Sequence, residues 1–303
     1  MKKLLVIGGT GFLGSAIVRE LARRPASADF QFTLPTRRRD HAKHLLVLPT
    51  ANVIDADAHD PATLARLMAG QDAVISLVGI LKGGEGEPYG KGFARAHVEL
   101  PQKIVAAAKA AGVRRVLHVS ALKAAADAPS GYLRSKAAGE AVLRDAGLDL
   151  TLFRPSVIFG PGDAFLTLFA KLAKIAPLFP LAGADARFQP VWVEDVAAAV
   201  ADSLQNAGSI GAAYDLCGPT QYSLRELVAY AAAVAGHPRA IIGLPEAIAW
   251  LQAWAMEFIP NGPMTRDNIR SMRVASVCDD GCTLPFGRIA TALEVVAPTY
   301  LRS

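Results

Sequence analysis

Four glycines, Gly8, Gly9, Gly11 and Gly14, separate a short apolar run from an amphipathic stretch near the N-terminus. Residues without a Cβ let the chain turn tightly out of a strand, and the N–H groups at the following helix start can then approach an anionic group. The order of strand, glycine turn and helix is typical of a dinucleotide-binding βαβ unit. A purely structural turn is the alternative, although four glycines at such a junction have no good packing rationale.

Short β-branched runs alternate with alanine-rich amphipathic segments through the first half of the chain. Strands are expected at KLLVIG, FQFTLPT, ANVIDAD, DAVISLVG, RRVLHVSAL and LDLTLFRPS, with helical segments between most of them. This spacing predicts an α/β fold, namely a doubly wound parallel sheet of the Rossmann type with helices on both faces.

Prolines begin to interrupt short apolar segments at about residue 155. We therefore predict a dinucleotide-binding Rossmann domain over residues 1–155, to which residues 188–218 return with a strand-then-helix pattern. Residues 156–187 and 219–303 are predicted to form a smaller, mostly C-terminal lobe that binds a substrate or a partner.

The bulk composition excludes several function classes. With 52% hydrophobic and 19% charged residues, the chain is not disordered, yet it has no apolar run long enough for a transmembrane helix. The first apolar run is too short for a signal peptide, which favours the cytoplasm, with a peripheral position at the inner face of a membrane as a further option. The net charge of +5 comes without a clustered basic face that carries aromatic residues, so no nucleic-acid partner is expected.

The three cysteines, Cys217, Cys278 and Cys282, are sparse and odd in number, which does not suggest a disulfide framework. Only three residues separate Cys278 from Cys282, and no second pair exists that would complete a metal site. We therefore expect Cys278 and Cys282 to be unpaired thiols in a loop, and we expect no metal.

Basic residues follow the second strand, where a dinucleotide site distinguishes its two nucleotides. An NAD(H) site usually has an acidic residue there, which accepts a hydrogen bond from the ribose 2′-hydroxyl. This chain reads LPTRRRD instead, and a guanidinium matches a 2′-phosphate with two parallel hydrogen bonds. The sequence therefore favours NADP(H) over NAD(H), with Arg37 as the first candidate and Arg38 as the second. A solvated basic loop is the alternative.

Tyr132 and Lys136 are four positions apart in the stretch GYLRSK, so on a helix they share one face. A neighbouring ammonium favours the phenolate and is expected to lower the pKa of the tyrosine toward working pH. Ser120 ends the strand RVLHVS twelve residues upstream, and parallel strands deliver their carboxyl ends to the ligand crevice. Ser120, Tyr132 and Lys136 are thus predicted to meet beside a nicotinamide.

Together, GGTGFLG, Ser120, YLRSK and RPSVIFGPGD resemble the short-chain dehydrogenase/reductase superfamily in its extended or atypical branch, which includes sugar-nucleotide epimerases and dehydratases and 3β-hydroxysteroid dehydrogenase-like enzymes. This resemblance implies that Tyr132 is the general acid/base, that Lys136 holds the nicotinamide ribose, and that Ser120 binds the substrate oxygen. VISLVG, HVSAL, QPVWVEDVAAAV and MTRDNIRSM are similar more narrowly to the NADPH-carrying accessory subunit of respiratory complex I and its bacterial relatives, whose nucleotide is thought to be structural.

The same resemblance implies a set of nucleotide contacts at the carboxyl ends of the strands. His97 stands where extended enzymes commonly have asparagine, and it is expected to be a capping, surface or functional residue. The implied contacts are Gly8, Gly9, Thr10, Gly11, Phe12, Leu13, Gly14, Arg37, Arg38, Asp57, Leu77, Val78, Gly79, Tyr132, Lys136, Pro155 and Val157. For Asp57, an ordinary loop carboxylate is the alternative.

Two main function hypotheses remain open. The first is an NADP(H)-dependent oxidoreductase or epimerase/dehydratase-like enzyme with an unknown small-molecule substrate. The second is a non-catalytic, NADPH-carrying accessory or assembly protein of a quinone-linked respiratory complex or of ubiquinone biosynthesis, associated peripherally with a membrane. A nucleotide-sensing regulator is a third, and the Tyr132–Lys136 pair argues against it.

The apolar segment 244–260 carries Trp250 and Trp254 and bears on the same question. It is too short to span a membrane. It is expected to be either an interfacial or partner-binding surface, or a lid or core helix. Upstream of it, Ser223 and Glu226 have the spacing of a capping box.

Overall fold

Seven parallel strands form the central sheet of the computed structural model, which describes residues 2–24, 30–259, 262–279 and 283–302. The strands in chain order are β1 (Lys2–Ile7), β2 (Phe30–Thr36), β3 (Ala51–Asp55), β4 (Ala73–Ser76), β5 (Arg115–Val119), β6 (Asp149–Pro155), β7 (Ile158–Phe159), β8 (Leu178–Leu181), β9 (Arg187–Phe188), β10 (Val191–Trp192), β11 (Ala213–Leu216), β12 (Tyr222–Ser223) and β13 (Ala240–Gly243).

The helices alternate with these strands through the first half of the chain and dominate the second half. They are α1 (Phe12–Arg23), α2 (Pro61–Met68), α3 (Lys91–Phe93), α4 (Leu100–Ala111), α5 (Gly131–Arg144), α6 (Leu166–Ile175), α7 (Val193–Gln205), α8 (Leu224–Val234), α9 (Glu246–Glu257), α10 (Arg266–Met272), α11 (Leu293–Val296) and α12 (Pro298–Leu301). A π-helical segment, Ala94–Glu99, joins α3 to α4, and short 3-10 helices occupy Arg39–Leu45, Ala207–Ser209 and Pro285–Gly287.

The order of the sheet is β11-β6-β5-β4-β1-β2-β3, and every neighbouring pair is parallel. The predicted α/β fold with a doubly wound Rossmann sheet is therefore confirmed. The strand order reverses between β1 and β4, and ligands of open parallel sheets bind in the crevice at the carboxyl ends of such strands. This topology places the glycine turn after β1 at the crevice.

Alternate residues of β1 face opposite layers of the fold. Leu4 and Val6 pack with α1 and α7 on one face of the sheet, whereas Leu5 and Ile7 pack with α2 and α4 on the other. Because both faces are buried, the strand reads as a continuous apolar run in the sequence. The two layers fix the position of the crevice between them.

The second half adds α6, α8 and the parallel pair of β8 and β13 beside the sheet. The Glu226 N–H donates to the Ser223 hydroxyl, and the Glu226 carboxylate accepts from the Ser223 N–H, so the predicted capping box of α8 is confirmed. The division of the chain into two lobes stays a prediction.

Cys217 and Cys278 form a disulfide, with Cα atoms 6.4 Å apart. The expectation that Cys278 is an unpaired thiol was therefore wrong. Gln189 hydrogen-bonds both segments that carry these cysteines. Its side-chain amide donates to the Gly218 carbonyl at 2.8 Å, and its side-chain oxygen accepts from the Cys278 N–H at 3.0 Å. The two cysteines are 61 residues apart in sequence, so no local pattern reveals the pairing. Cys282 lies outside the described residues.

Among the residues that the structure describes, no helix is long and apolar enough to span a membrane.

Candidate functional site

The turn between β1 and α1 has the tight geometry that its glycines predict. Gly8 has φ +87°, a region that favours glycine, and a Cβ there would lie 3.3 Å from the Leu77 carbonyl carbon. A Cβ on Gly14 would lie 2.6 Å from the Gly9 Cα, so the helix can pack this closely on the turn only without a side chain. Among the described residues, no side chain caps the start of α1 at Gly11, so its first N–H groups are available to a ligand.

Neighbouring side chains join this turn to the edges of the crevice. The Thr10 hydroxyl lies 3.4 Å from the Thr36 hydroxyl at the end of β2. The Phe12 ring lies close to Gly160, with 3.6 Å from its Cζ to the Cβ position of that glycine. Leu13 packs against the main core beneath the turn. The segment after β7 thus covers the glycine turn from the side of the second half.

Arg37 and Arg38 are exposed directly after β2. The Arg38 N–H donates to the Thr36 hydroxyl at 3.2 Å, which fixes the backbone at this point. Within the described part of the chain, neither guanidinium has an ion-pair partner. Both are therefore available to an anion at the end of β2.

The end of β4 connects the glycine turn to Lys136. Leu77 and Val78 border Gly8, and the Lys136 ammonium lies 3.3 Å from the Cβ position of Gly79. The same ammonium donates to the Val119 carbonyl at 3.1 Å. Burial lowers the pKa of Lys136 to about 8, and the Glu140 carboxylate one turn later opposes that shift. The structure thus brings β1, β4, β5 and α5 together around one buried cation.

Tyr132 lies one turn before Lys136, against the rings of Phe93 and His97, with centroid distances of 6.1 and 5.6 Å. Burial raises the pKa of Tyr132 to about 12. The expectation that Lys136 lowers this pKa was wrong, because desolvation of the buried phenol raises it. The phenol is consequently protonated at neutral pH.

Ser120 follows Val119 at the carboxyl end of β5 and is 4% exposed. Its hydroxyl is buried and has no hydrogen-bond partner among the described residues. A buried hydroxyl without a partner costs free energy, which marks this atom as one that a ligand can satisfy.

The remaining predicted positions lie around this centre. The Pro155 carbonyl accepts from the Leu122 N–H at 3.1 Å, and the Val157 carbonyl accepts from the Val191 N–H at 3.0 Å, so both are fixed beside β5 and β6. The side chain of Asp57 is 43% exposed, and its carboxylate accepts from the His59 N–H at 2.9 Å. Asp57 therefore forms a local turn at the rim, after β3.

His97 lies in the π-helical segment and is 2% exposed, so the expectation that it could be a surface residue was wrong. The Ile80 N–H donates to Nε2 at 3.1 Å, which makes Nε2 an acceptor and puts the ring proton on Nδ1. Nδ1 lies 2.8 Å from the Ser135 hydroxyl, which in turn donates to the Tyr132 carbonyl at 2.7 Å. Burial, then the Lys136 charge and then His118 lower the pKa of His97 to about 2. A neutral His97 thus connects the end of β4 to α5.

Asp267 in α10 binds the start of the helix that carries Tyr132. Its carboxylate accepts from the Gly131 N–H at 2.7 Å and from the Tyr132 N–H at 3.0 Å, and the residue is 6% exposed. A carboxylate at a helix N-terminus satisfies free donors and complements the helix dipole. Sequence reasoning missed this role, because Asp267 is 135 residues from Tyr132 and no spacing rule links them.

The sheet order, the glycine turn and the buried lysine on α5 define a Rossmann-type dinucleotide-binding protein. The profile of the family described as NAD(P)H-binding matches residues 8–168. The chain belongs to this NAD(P)H-binding family, and the matched range contains the glycine turn, Ser120, Tyr132 and Lys136.

Curated relatives are similar over most of this chain. It is 34% identical over 227 residues to the mitochondrial NADH dehydrogenase [ubiquinone] 1 alpha subcomplex subunit 9 of Rattus norvegicus, covering 74% of this chain and 59% of the relative. It is 34% identical over 193 residues to the ceramide reductase of Caulobacter vibrioides, covering 64% of this chain and 58% of that relative. The chain thus spans less than two thirds of the length of either relative.

A solved structure extends the likeness of fold to nearly the whole chain. The NADPH-dependent quinone oxidoreductase QOR2 of Escherichia coli, complexed with NADPH, superposes with a TM-score of 0.76 at 24% identity. The match covers 99% of this chain and 100% of that one. At 24% identity, this similarity shows that the two proteins share a fold.

Proposed function

We propose that this chain is an NADP(H)-dependent oxidoreductase that reduces a carbonyl group, with Ser120, Tyr132 and Lys136 as its catalytic residues. The observation that carries the proposal is the buried Ser120 hydroxyl, which no described residue hydrogen-bonds, next to the carbonyl that binds the Lys136 ammonium. Epimerase- or dehydratase-like chemistry would use the same three groups. The reductase of Caulobacter, 34% identical, supports the reductive reading.

The backbone and side chains that border the crevice suit the chemical groups of a dinucleotide. The side-chain-free turn at Gly8 and Gly14 and the uncapped start of α1 suit a pyrophosphate, while the Lys136 ammonium suits ribose hydroxyls. Arg37 and Arg38 suit a 2′-phosphate, which favours NADP(H) over NAD(H). Bound NADPH would supply the hydride that forms the new C–H bond at the carbonyl carbon.

Tyr132 acts as the proton donor in this proposal. Because burial raises the pKa of Tyr132 to about 12, the phenol carries its proton at pH 7 and is suited to reduction rather than to alcohol oxidation. The Ser120 hydroxyl donates a hydrogen bond to the carbonyl oxygen, where negative charge develops. As the Tyr132 O–H bond breaks and the alcohol O–H bond forms, the phenolate that remains takes a proton from solvent.

A second candidate function is favoured by the relatives named as complex I subunits. In that reading the chain carries NADPH without turnover and associates peripherally with a quinone-linked respiratory complex or acts in ubiquinone biosynthesis. The exposed apolar side chains of α9, including Leu251 and Trp254 at 62% and 47% exposure, would suit a partner.

One experiment separates the two functions. The purified protein is loaded with NADPH, and nicotinamide absorbance is followed against a panel of carbonyl compounds for wild type, Tyr132→Phe and Ser120→Ala. The enzyme reading predicts turnover that falls by about 10²-fold or more in Tyr132→Phe. Absence of turnover, with stable NADPH retention and copurification with membrane respiratory subunits, would instead support the accessory role.

A further inference from the structure

A cavity of about 450 Å³ lies between the loop at 82–85 and the end of α9. Phe93 lines this cavity, and the centroid of its ring is 6.1 Å from that of Tyr132. Asp267 lines it as well and accepts from the Tyr132 N–H. The cavity is therefore one aromatic ring away from the proposed proton donor.

The charged groups on the cavity wall are already paired within the protein. Glu85 and Glu257 each form an ion pair with an arginine of α10, in both cases at 2.9 Å. The Lys82 ammonium donates to the Gly262 carbonyl, and the Asp267 carboxylate accepts from two backbone N–H groups. A ligand in the cavity therefore finds few free polar partners.

Apolar side chains supply the rest of the lining and also the rim. Phe93, Met256, Phe258 and Ile259 line the cavity. Phe258 and Ile259 are nevertheless 72% and 55% exposed, so they stand where the cavity opens to solvent. Exposed large apolar groups at the mouth of a cavity near a reacting centre point to an apolar ligand.

We infer that this cavity holds the apolar tail of the carbonyl substrate, so that the substrate class is a carbonyl compound with a long hydrocarbon chain. The inference rests on the proposed reductase function. Tyr132 then receives the carbonyl end, while Phe93, Met256, Phe258 and Ile259 contact the chain.

The same wall rejects a sugar nucleotide, the substrate type of many proteins with this fold. Among the described residues that line the cavity, Lys82 is the one cation, against the carboxylates of Glu85, Glu257 and Asp267. The Lys82 ammonium already donates to the Gly262 carbonyl, so a diphosphate would be desolvated with no free cation among these residues to bind it. A neutral hydrocarbon chain meets no such penalty.

Binding measured without turnover tests the inference. The full chain is loaded with NADP⁺, which cannot reduce a ketone, and is titrated calorimetrically with 2-undecanone, with 2-butanone and with UDP-glucose. We expect 2-undecanone to bind at least tenfold more tightly than 2-butanone, and UDP-glucose not to bind at a comparable concentration. Equal affinities for the two ketones, or tighter binding of UDP-glucose, would overturn the inference.

A matched pair of variants locates the tail. Ile259→Ser changes a residue that lines the cavity, whereas Ile248→Ser changes a residue on α9 that is 51% exposed and does not line it. Ile259→Ser is expected to weaken 2-undecanone binding about fivefold and to leave 2-butanone unchanged, because an apolar contact with the chain is lost. Ile248→Ser is expected to change neither. Equal effects of the two substitutions would contradict the assignment of the cavity.

These readouts do not depend on catalysis. Should the wild type turn over no ketone, the reductase proposal fails, while the difference in affinity between the two ketones still shows whether the cavity binds a hydrocarbon chain. Should turnover occur with short and long ketones bound equally well, the reductase proposal stands and the tail site is refuted.

Discussion

Replacement of Lys136 by methionine is predicted to stabilise the protein in the absence of nucleotide while weakening nucleotide binding. The Lys136 ammonium is buried, and burial lowers its pKa from 10.5 to about 8. Since one pKa unit corresponds to about 1.4 kcal/mol, keeping this lysine charged costs the folded state about 3 kcal/mol at pH 7. Methionine has a similar length and no charge, so that cost disappears.

Part of this gain is offset by the hydrogen bond that the ammonium donates to the Val119 carbonyl, which is worth about 1 kcal/mol. Lys136→Met should therefore raise the free energy of unfolding by about 2 kcal/mol at pH 7, or Tm by about 4 °C for a chain of this size. The assay is urea unfolding of protein stripped of nucleotide. Lys171→Met, at an exposed position on α6, is the control and should change little.

The pH dependence provides the sharper test, and its sign follows from the two pKa values of Lys136. Between about pH 8 and 10.5 the unfolded lysine is protonated and the folded one is not, so the stability of the wild type rises with pH across this window. The advantage of Lys136→Met is complete below pH 8 and should be lost by pH 10.5.

With saturating NADPH the order should reverse, because binding stabilises the wild type more than the variant. A variant that is less stable than the wild type at pH 7 without nucleotide, or an advantage that does not change up to pH 10.5, would refute this reasoning.

Three further predictions concern the residues around the crevice. Arg37→Ala should weaken NADPH binding by about tenfold or more in a fluorescence titration and leave NADH binding unchanged, whereas the neighbouring Arg39→Ala should change the affinity for neither nucleotide. Equal losses of affinity for NADPH and NADH in Arg37→Ala would refute the contact with the 2′-phosphate. Asp267→Asn should lower the free energy of unfolding by about 1 kcal/mol, because an amide oxygen replaces a carboxylate at the start of α5; urea unfolding checks this, and an unchanged midpoint would argue against it. His97→Phe keeps the ring but leaves the Ile80 N–H unpaired and should cost about 2 kcal/mol by the same assay, whereas a neutral result would show that water replaces the imidazole.

The parts of the fold that follow from local pattern could be predicted from the sequence. Glycine spacing marked the turn at Gly8 to Gly14, and the alternation of apolar runs marked the parallel sheet. The ends of its strands then suggested Ser120 and Lys136 as neighbours. These features depend on backbone geometry and side-chain period, which a short stretch of sequence contains.

Features that depend on burial or on distant contacts could not be predicted. The pKa of Tyr132 rises because its surroundings exclude water, which residue spacing does not reveal. His97 is buried by a π-helical segment, and Asp267 and the Cys217–Cys278 disulfide join parts of the chain that are far apart in sequence. Tertiary packing decides all of these.

The proposed reduction requires Tyr132 to give its proton to a carbonyl oxygen. Its most direct test is a single-turnover measurement, in which protein loaded with NADPH is mixed with 2-undecanone and nicotinamide absorbance is followed between pH 6 and 9. With a Tyr132 pKa of about 12, the phenol stays protonated throughout this range. The wild type is expected to oxidise NADPH without a tyrosine ionisation in the rate profile, and Tyr132→Phe is expected to retain NADPH but to react about 10²-fold or more slowly. Equal rates in the two proteins would contradict it.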